Sequence, residues 1–196
     1  MKDRDVAAFD RRAAGYESGA IGQMHQRIGE RVADIALAAS AGPRRVLDIG
    51  CGTGALLRLL AARLPDAELL AGIDPAPAMI KAAAAAGNTD PRIQLLAGVA
   101  EALPFTASSF DLLVTVTSFD HWADQRRGLT ECARVLRPSA PLVLCDLFSP
   151  VLLPTTWLSH RGKARTAGSA TATLHAAGFQ SLNWHPSILI KTVVAT

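Results

Sequence analysis

Nine residues, Val46-Leu47-Asp48-Ile49-Gly50-Cys51-Gly52-Thr53-Gly54, constrain this chain more than any other stretch. Val46, Leu47 and Ile49 have the β-branched and apolar character of a strand covered on both faces. Three glycines at alternate positions then remove Cβ atoms where a ligand must approach backbone. Ala55 to Leu64 reads as the helix that follows. Its first N–H groups lack intrahelical partners and carry the positive end of the helix dipole, so an electron-rich ligand group is favoured beside them. Strand, glycine turn and helix in this order read as a nucleotide-cofactor loop; the bland alternative is a turn that serves only tight strand–helix packing.

Gly50, Gly52 and Ala55 also satisfy a dinucleotide fingerprint in its G-x-G-x-x-A form. Asp48 separates the two cofactor classes. A pyrophosphate carries two negative charges, and an acid two residues before the first glycine places like charge near it. A cofactor with a cationic ammonium welcomes a carboxylate there. S-adenosylmethionine has that ammonium on its methionine end and no phosphate.

Further blocks follow in order. Glu68 to Asp74 reads as a second strand ending in Gly72-Ile73-Asp74-Pro75. Asp74 thus lies at a strand's C-terminal edge, where a carboxylate can accept both ribose hydroxyls. It can also cap the helix expected over Ala76 to Ala86, and the two roles are compatible. Gly87-Asn88-Thr89 begins a loop. Arg92 to Ala97 reads as a third strand, followed by Gly98-Val99-Ala100-Glu101-Ala102-Leu103-Pro104-Phe105. Ser109 to Val116 is a fourth, apolar strand, expected beside the first at the switch point where strand order reverses. Asp124 to Leu136 reads as a helix that runs into Arg137-Pro138, ahead of a fifth strand over Pro141 to Leu147. A helix from Ala167 to Ala177, a stop at Gly178-Phe179 and strands near Gln180 to Trp184 and Ile188 to Ala195 complete the pattern, with His185-Pro186 as their turn.

With these blocks in this order, the sequence resembles the class I S-adenosylmethionine-dependent methyltransferases, in the small single-domain family with an acidic glycine loop, from about Phe9 onward. The resemblance implies a three-layer Rossmann-like α/β fold. Its seven-stranded mixed sheet would run 3-2-1-4-5-7-6 with strand 7 antiparallel. One domain would cover 1–196, with a helical lid at 1–40 and an α/β core at 41–196.

For the cofactor, S-adenosyl-L-methionine, the resemblance implies contacts from Asp48, Gly50, Cys51, Gly52 and Gly54 in the loop. Asp74, Pro75 and Met79 would follow at the second strand, although Met79 reads equally as a core methionine. Val99, Ala100 and Glu101 would lie at the adenine, and Thr117 beyond the fourth strand. Tyr16 would approach the methionine end from the lid, or else anchor a surface helix. His25 and Gln23 lie where lid residues face a substrate or solvent. His121, just past the fourth strand, is the candidate catalytic residue, a general base near neutral pH or an architectural partner of Trp122.

The chain departs from the family pattern at two places. Val99 stands where an aspartate commonly accepts from the adenine amino group, which leaves that task to the backbone of Ala100 and to Glu101. Ser139-Ala140 replaces a Gly-Gly pair at a positive-φ turn, so the turn is either reshaped or strained by about 1 kcal/mol. The region beyond the fourth strand lacks the Asp/Asn-Pro-Pro-aromatic motif of amino methylation and the Pro-Cys pair of thiolate attack on a pyrimidine. It also lacks the acidic cluster of a magnesium site, so no metal is expected. A small-molecule methyl acceptor remains. Phe148 to Arg165, with Pro150, Pro154, Trp157, Leu158 and His160, has room only for a short loop or a single helix, which implies an acceptor pocket that is shallow or completed by a partner.

Composition narrows the partners. Apolar content of 49% with 19% charged residues suits a soluble globular protein. A net charge of +3 with scattered basic residues is a poor footprint for a phosphate backbone, so nucleic acid is an unlikely partner. No apolar run suits a membrane span, and the acids among residues 1–10 do not suit a signal peptide, which leaves a cytoplasmic location as the expectation. Cys51, Cys132 and Cys145 form no C-x-x-C pair and read as buried thiols. A monomer or homodimer is expected. The competing functional readings are a degenerate relative that binds cofactor without efficient catalysis and an NAD-type oxidoreductase with the same opening unit.

Overall fold

The computed structural model describes residues 3–86, 90–148, 166–186 and 190–196. Seven strands, β1 (Arg45–Ile49), β2 (Leu69–Asp74), β3 (Ile93–Ala97), β4 (Leu112–Val116), β5 (Leu142–Leu147), β6 (Leu182–His185) and β7 (Ile190–Ala195), form one sheet. Its order is β3-β2-β1-β4-β5-β7-β6, as the sequence leads one to expect. β1 to β5 pair in parallel, and β7 runs antiparallel to β5 and β6. Asp48 lies in register with Gly72 on one side and Val114 on the other.

Side chains alternate between the two faces along each strand, and the core divides accordingly. Leu47, Ile49 and Leu113 join Phe119 and Trp122 on one face, beneath α5 (Gln125–Val135) and α6 (Ala167–Ala176). Val46, Leu112 and Val114 face the other way, against α2 (Gly19–Ala39) and α3 (Ala55–Arg63). The central strands are therefore apolar at nearly every position, while edge strand β3 is at most half-buried and exposes Gln94 and Ala97.

Two helical pieces complete the carboxyl edge of the sheet. α1 (Asp3–Arg12) continues through a 3-10 turn at Ala13–Gly15 towards α2. α4 (Pro77–Ala85) follows β2, and Ala13 packs with Ala76 and Met79 in a small apolar cluster that joins α1 to α4. Asp10 accepts a hydrogen bond from the Ala78 N–H at 2.9 Å, satisfying an orphan donor in the first turn of α4 across the chain.

Several element limits differ from the sequence expectation. β4 starts at Leu112 instead of Ser109, because the N–H groups of Ser109 and Phe110 donate to the Val135 carbonyl at the end of α5. Asp111 meanwhile accepts from the N–H groups of Arg44 and Arg45 with its carboxylate. β3 starts at Ile93, since Arg92 turns back to the carbonyls of Ala61, Leu64 and Pro65 at the end of α3. The N-cap of α4 is Ala76, not Asp74. Ser139 adopts φ 64°, the positive-φ turn expected where glycine would be at ease. None of the described helices is long and apolar enough to cross a membrane. The expectations for Gly87-Asn88-Thr89 and for Pro150, Pro154, Trp157, Leu158 and His160 fall outside the described residues.

Candidate functional site

The site forms where β1 and β4 diverge at the carboxyl edge. The turn after β1 carries positive φ at Gly50 (75°), Gly52 (52°) and Gly54 (76°), and Gly54 caps α3. Gly50 is required twice over. Besides its φ, a Cβ there would stand 2.2 Å from Ser118 Oγ. Ser118 fills that space because its hydroxyl donates to the Ile49 carbonyl at 3.1 Å and accepts from Trp122 Nε1 at 3.0 Å. The N–H groups of Gly50 and Cys51 donate to the Ile73 carbonyl at 2.8 and 3.0 Å, closing the turn onto β2.

Three adjoining hollows open around this turn. A crevice runs past Asp74, Pro75, Met79, Val99 and Ala100. A bay lies over Asp48 and the glycine turn, walled by Glu17 and Glu30. A mouth opens between Arg11, Arg12, Ile21 and His121. Tyr16 and Thr117 border all three, while Gly50 and Gly52 separate crevice from bay. Thr117 holds φ 50°, an unusual angle for a β-branched residue, and its N–H donates to the Cys145 carbonyl.

The two carboxyls expected at the site are both buried and both perturbed. Asp48 is 2% exposed, and burial followed by the negative charge of Asp74 pushes its pKa up to about 8. Asp74 is also raised by burial, against the pull of the two N–H groups its carboxylate accepts, Ala76 at 2.8 Å and Gly52 at 3.0 Å. Each carboxylate oxygen retains a second acceptor direction for a ligand hydroxyl.

The segment before β1 closes over these hollows. Tyr16 stacks on His25 with ring centroids 5.0 Å apart, and Phe9 meets His121 edge-on at 5.1 Å. Burial raises the Tyr16 phenol and lowers the His25 imidazole, so both are neutral at pH 7. Glu17 binds Arg58 through both oxygens at 2.7 and 2.9 Å, fastening this segment to α3. Burial opposes ionisation of Glu17, but Thr53 and Arg58 outweigh it and lower its pKa.

The structure thus brings together Tyr16, Asp48, Gly50, Gly52, Asp74, Pro75, Met79, Val99, Ala100, Glu101, Thr117 and His121. Three of the expected residues have other engagements. The Cys51 thiol packs towards Gly72, and burial raises its pKa well above the usual value, so it is a neutral core group at the border of the bay. Gly54 lies behind the turn against Ala83 and Arg58. Glu101 gives one carboxylate oxygen to the Asp124 N–H at 3.0 Å. Met79 fulfils both of its readings, being 1% exposed in the small cluster and bordering the crevice.

The roles of two contributors could not be read from the sequence. Ser118 binds a carbonyl 69 residues away, which no local pattern announces. Asp146, at the end of β5, accepts from the Leu147 N–H at 2.6 Å and the Asp120 N–H at 3.0 Å. It thereby holds the 3-10 turn Phe119–His121 that presents His121. Burial raises its pKa to about 6.

A doubly wound sheet with a glycine turn at its switch point, backed by carboxyls at β1 and at the tip of β2, defines a Rossmann-like cofactor-binding protein. The chain belongs to the methyltransferase-domain family, whose profile matches residues 47–144, half of its length. It is 34% identical over 159 residues to a demethylmenaquinone methyltransferase from Thermotoga maritima, spanning 76% of this chain and 64% of that protein. It is 30% identical over 182 residues to a malonyl-[acyl-carrier protein] O-methyltransferase from Methylococcus capsulatus, spanning 89% of this chain and 65% of that one. The chain therefore spans just under two thirds of these curated relatives. Among solved structures, the fold superposes with TM-score 0.79 and 21% identity on a chain from the complex of the Haloferax volcanii Trm112 methyltransferase activator with a putative methyltransferase, covering 95% of this chain and 96% of that one. A possible histamine N-methyltransferase from Thermotoga maritima superposes with TM-score 0.69 and 19% identity, covering 96% and 98%.

Proposed function

We propose that the protein transfers the methyl group of S-adenosylmethionine to an O, N or C atom of a small-molecule acceptor by in-line displacement. The observation that carries this reading is Asp48. A carboxyl held at 2% exposure, with its pKa at about 8 and a second acid as its charged neighbour, gains most from a ligand cation and least from a pyrophosphate. The glycine turn beside it offers backbone at close range. The residues present therefore fit a cationic, phosphate-free donor.

When bound, that donor supplies an electrophilic methyl on a positively charged sulfur. The chain's residues then divide the work by hollow. Asp48 takes the ammonium in the bay, above the backbone of Gly50, Cys51 and Gly52, with Gly54 shaping the turn. Asp74 takes the ribose hydroxyls. Pro75, Met79, Val99, Ala100 and Glu101 form the adenine slot, with the Ala100 backbone replacing the side-chain acceptor that Val99 lacks. Tyr16 and Thr117 stand where all three hollows meet and align donor with acceptor. His121 borders the mouth and takes a proton from acceptors that must lose one. Residues 1–40 act as a lid over a single domain.

Calorimetry with S-adenosylhomocysteine and NAD tests the cofactor. Binding of the first and not the second is expected; the reverse overturns the reading in favour of an oxidoreductase. Release of S-adenosylhomocysteine during incubation with S-adenosylmethionine and a demethylmenaquinone or malonyl-thioester acceptor, the groups named by the two relatives, then tests transfer. Tight binding with no transfer to these or to a wider panel of acceptors favours a degenerate relative.

A further inference from the structure

The bay and the mouth meet at Tyr16 and Thr117 but have opposite charge. Three acids, Glu17, Glu30 and Asp48, and one base, Arg58, line the bay; Glu17 neutralises Arg58, which leaves Glu30 and the ionised form of Asp48 to make the bay negative. The mouth is bordered by Arg11 and Arg12, by the neutral His25 and by His121, and by no Asp or Glu. Six arginines elsewhere, Arg44, Arg58, Arg63, Arg92, Arg134 and Arg137, sit on carboxylates. Among the described residues the two at the mouth have no such partner, as is also true of Arg27, Arg31, Arg45, Arg126 and Arg127, but Arg11 and Arg12 alone of these border a hollow of the site, and the charge of Arg12 reaches the Tyr16 phenol. Apolar surface adjoins them. Ile21 is 65% exposed at the same mouth, and Met24, one turn further along α2, is 47% exposed.

We infer that the mouth selects an anionic acceptor, a molecule with a carboxylate or comparable oxyanion joined to an apolar body. The inference rests on the mouth being the acceptor side of the proposed methyltransferase. Arg11 and Arg12 offer planar forked donors that match a carboxylate, and an oxyanion at the mouth forms charge-assisted hydrogen bonds with either that a neutral amide cannot equal. Ile21 and Met24 continue the surface on which the apolar body lies. The charge division also sorts the two ligands, since a cationic donor is repelled from the mouth and an anionic acceptor from the bay.

Ligand-observed NMR tests this with three probes of equal length, hexanoate, hexanamide and hexylammonium, added to the chain saturated with S-adenosylhomocysteine. Hexanoate is expected to bind at least tenfold more tightly than hexanamide, hexylammonium more weakly still, and the preference to shrink in 0.5 M salt as screening grows. In the double variant Arg11→Gln/Arg12→Gln, hexanoate should fall to the level of hexanamide while the affinity for S-adenosylhomocysteine stays within twofold. Equal binding of the three probes, absence of binding by all of them, or a preference that survives in the double variant overturns the inference. A chain that refuses S-adenosylhomocysteine yet prefers hexanoate through these arginines overturns the cofactor reading and leaves the anion-selective mouth standing.

Discussion

Asp74 accepts a hydrogen bond from the Gly52 N–H at 3.0 Å, and this bond ties the tip of β2 to the glycine turn after β1. Its other oxygen holds the Ala76 N–H at 2.8 Å, just before α4. A single side chain therefore joins two of the loops that shape the crevice, and it does so at the cost of placing a second negative charge near Asp48. The structure is braced where the site is electrostatically loaded.

Removing that brace should separate its structural from its electrostatic part. Asp74→Ala leaves the N–H groups of Gly52 and Ala76 without this acceptor, a loss of about 1–3 kcal/mol for each that stays buried. Asp74→Asn keeps one accepting oxygen and should cost less than half as much by urea unfolding. Both variants should weaken S-adenosylhomocysteine binding, since neither presents a full carboxylate to the ribose. Equal stability of wild type and Asp74→Ala would show that the turn closes without it.

Asp48 sets two pH dependences of opposite sign. Its pKa of about 8 lies well above the value of about 3.9 in an unfolded chain. Between these values the native state holds a proton that the unfolded state has released, so the ligand-free protein loses stability as pH rises from about 4 to about 8. Asp146, raised to about 6, adds the same sign over the lower part of that window. Asp48→Asn should abolish the decline between pH 7 and 8 in urea midpoints. Affinity for S-adenosylhomocysteine should instead rise with pH, by up to about tenfold per unit below 8, because only the ionised carboxylate pairs with the ammonium. Flat affinity from pH 6 to 8 would remove Asp48 from the ammonium site.

The pairing of Gly50 with Ser118 is testable as a double-mutant cycle. Gly50→Ala puts a Cβ at positive φ and 2.2 Å from Ser118 Oγ, which should cost about 2–4 kcal/mol by strain and overpacking together. Ser118→Gly removes the obstacle but also the hydrogen bonds to Ile49 and Trp122. The double variant should be less destabilised than the sum of the singles by more than about 1 kcal/mol, the size of coupling expected for side chains in contact. Additive losses would mean that the clash is relieved elsewhere.

What the sequence disclosed and what it hid follow from how far each signal reaches. The stretch Val46 to Gly54 was legible because buried strand character and positive φ are local demands, met by Val, Leu and Ile and then by glycine. Asp74 was legible because it follows an apolar run directly. The strain at Ser139 was legible as a missing glycine, and its φ of 64° agrees. Ser118, Asp146 and the capping of α4 by Asp10 were not, since their partners lie 69, 26 and 68 residues away. The start of β4 was misplaced for the same reason. Apolar Phe110 looks like strand, but its N–H belongs to the end of α5.

Thr117 and Ser139 share a backbone strain and differ in what surrounds it, which makes them a matched pair. Both hold positive φ, 50° and 64°, and glycine at either position should relieve about 1 kcal/mol. Ser139 is exposed in the turn before β5, at the sheet edge opposite the site. Ser139→Gly should therefore raise the unfolding midpoint and leave turnover unchanged. Thr117 stands where crevice, bay and mouth meet, so its side chain shapes the space in which donor and acceptor align. Thr117→Gly should stabilise the protein to a similar degree yet lower kcat tenfold or more, with S-adenosylhomocysteine affinity changed only a few-fold, because alignment is lost while the grips at Asp48 and Asp74 remain. Strain kept at Thr117 is then a cost that function retains. If Thr117→Gly gains stability and keeps full kcat, the strained residue contributes nothing to transfer, and the meeting point of the three hollows is not where the methyl group moves.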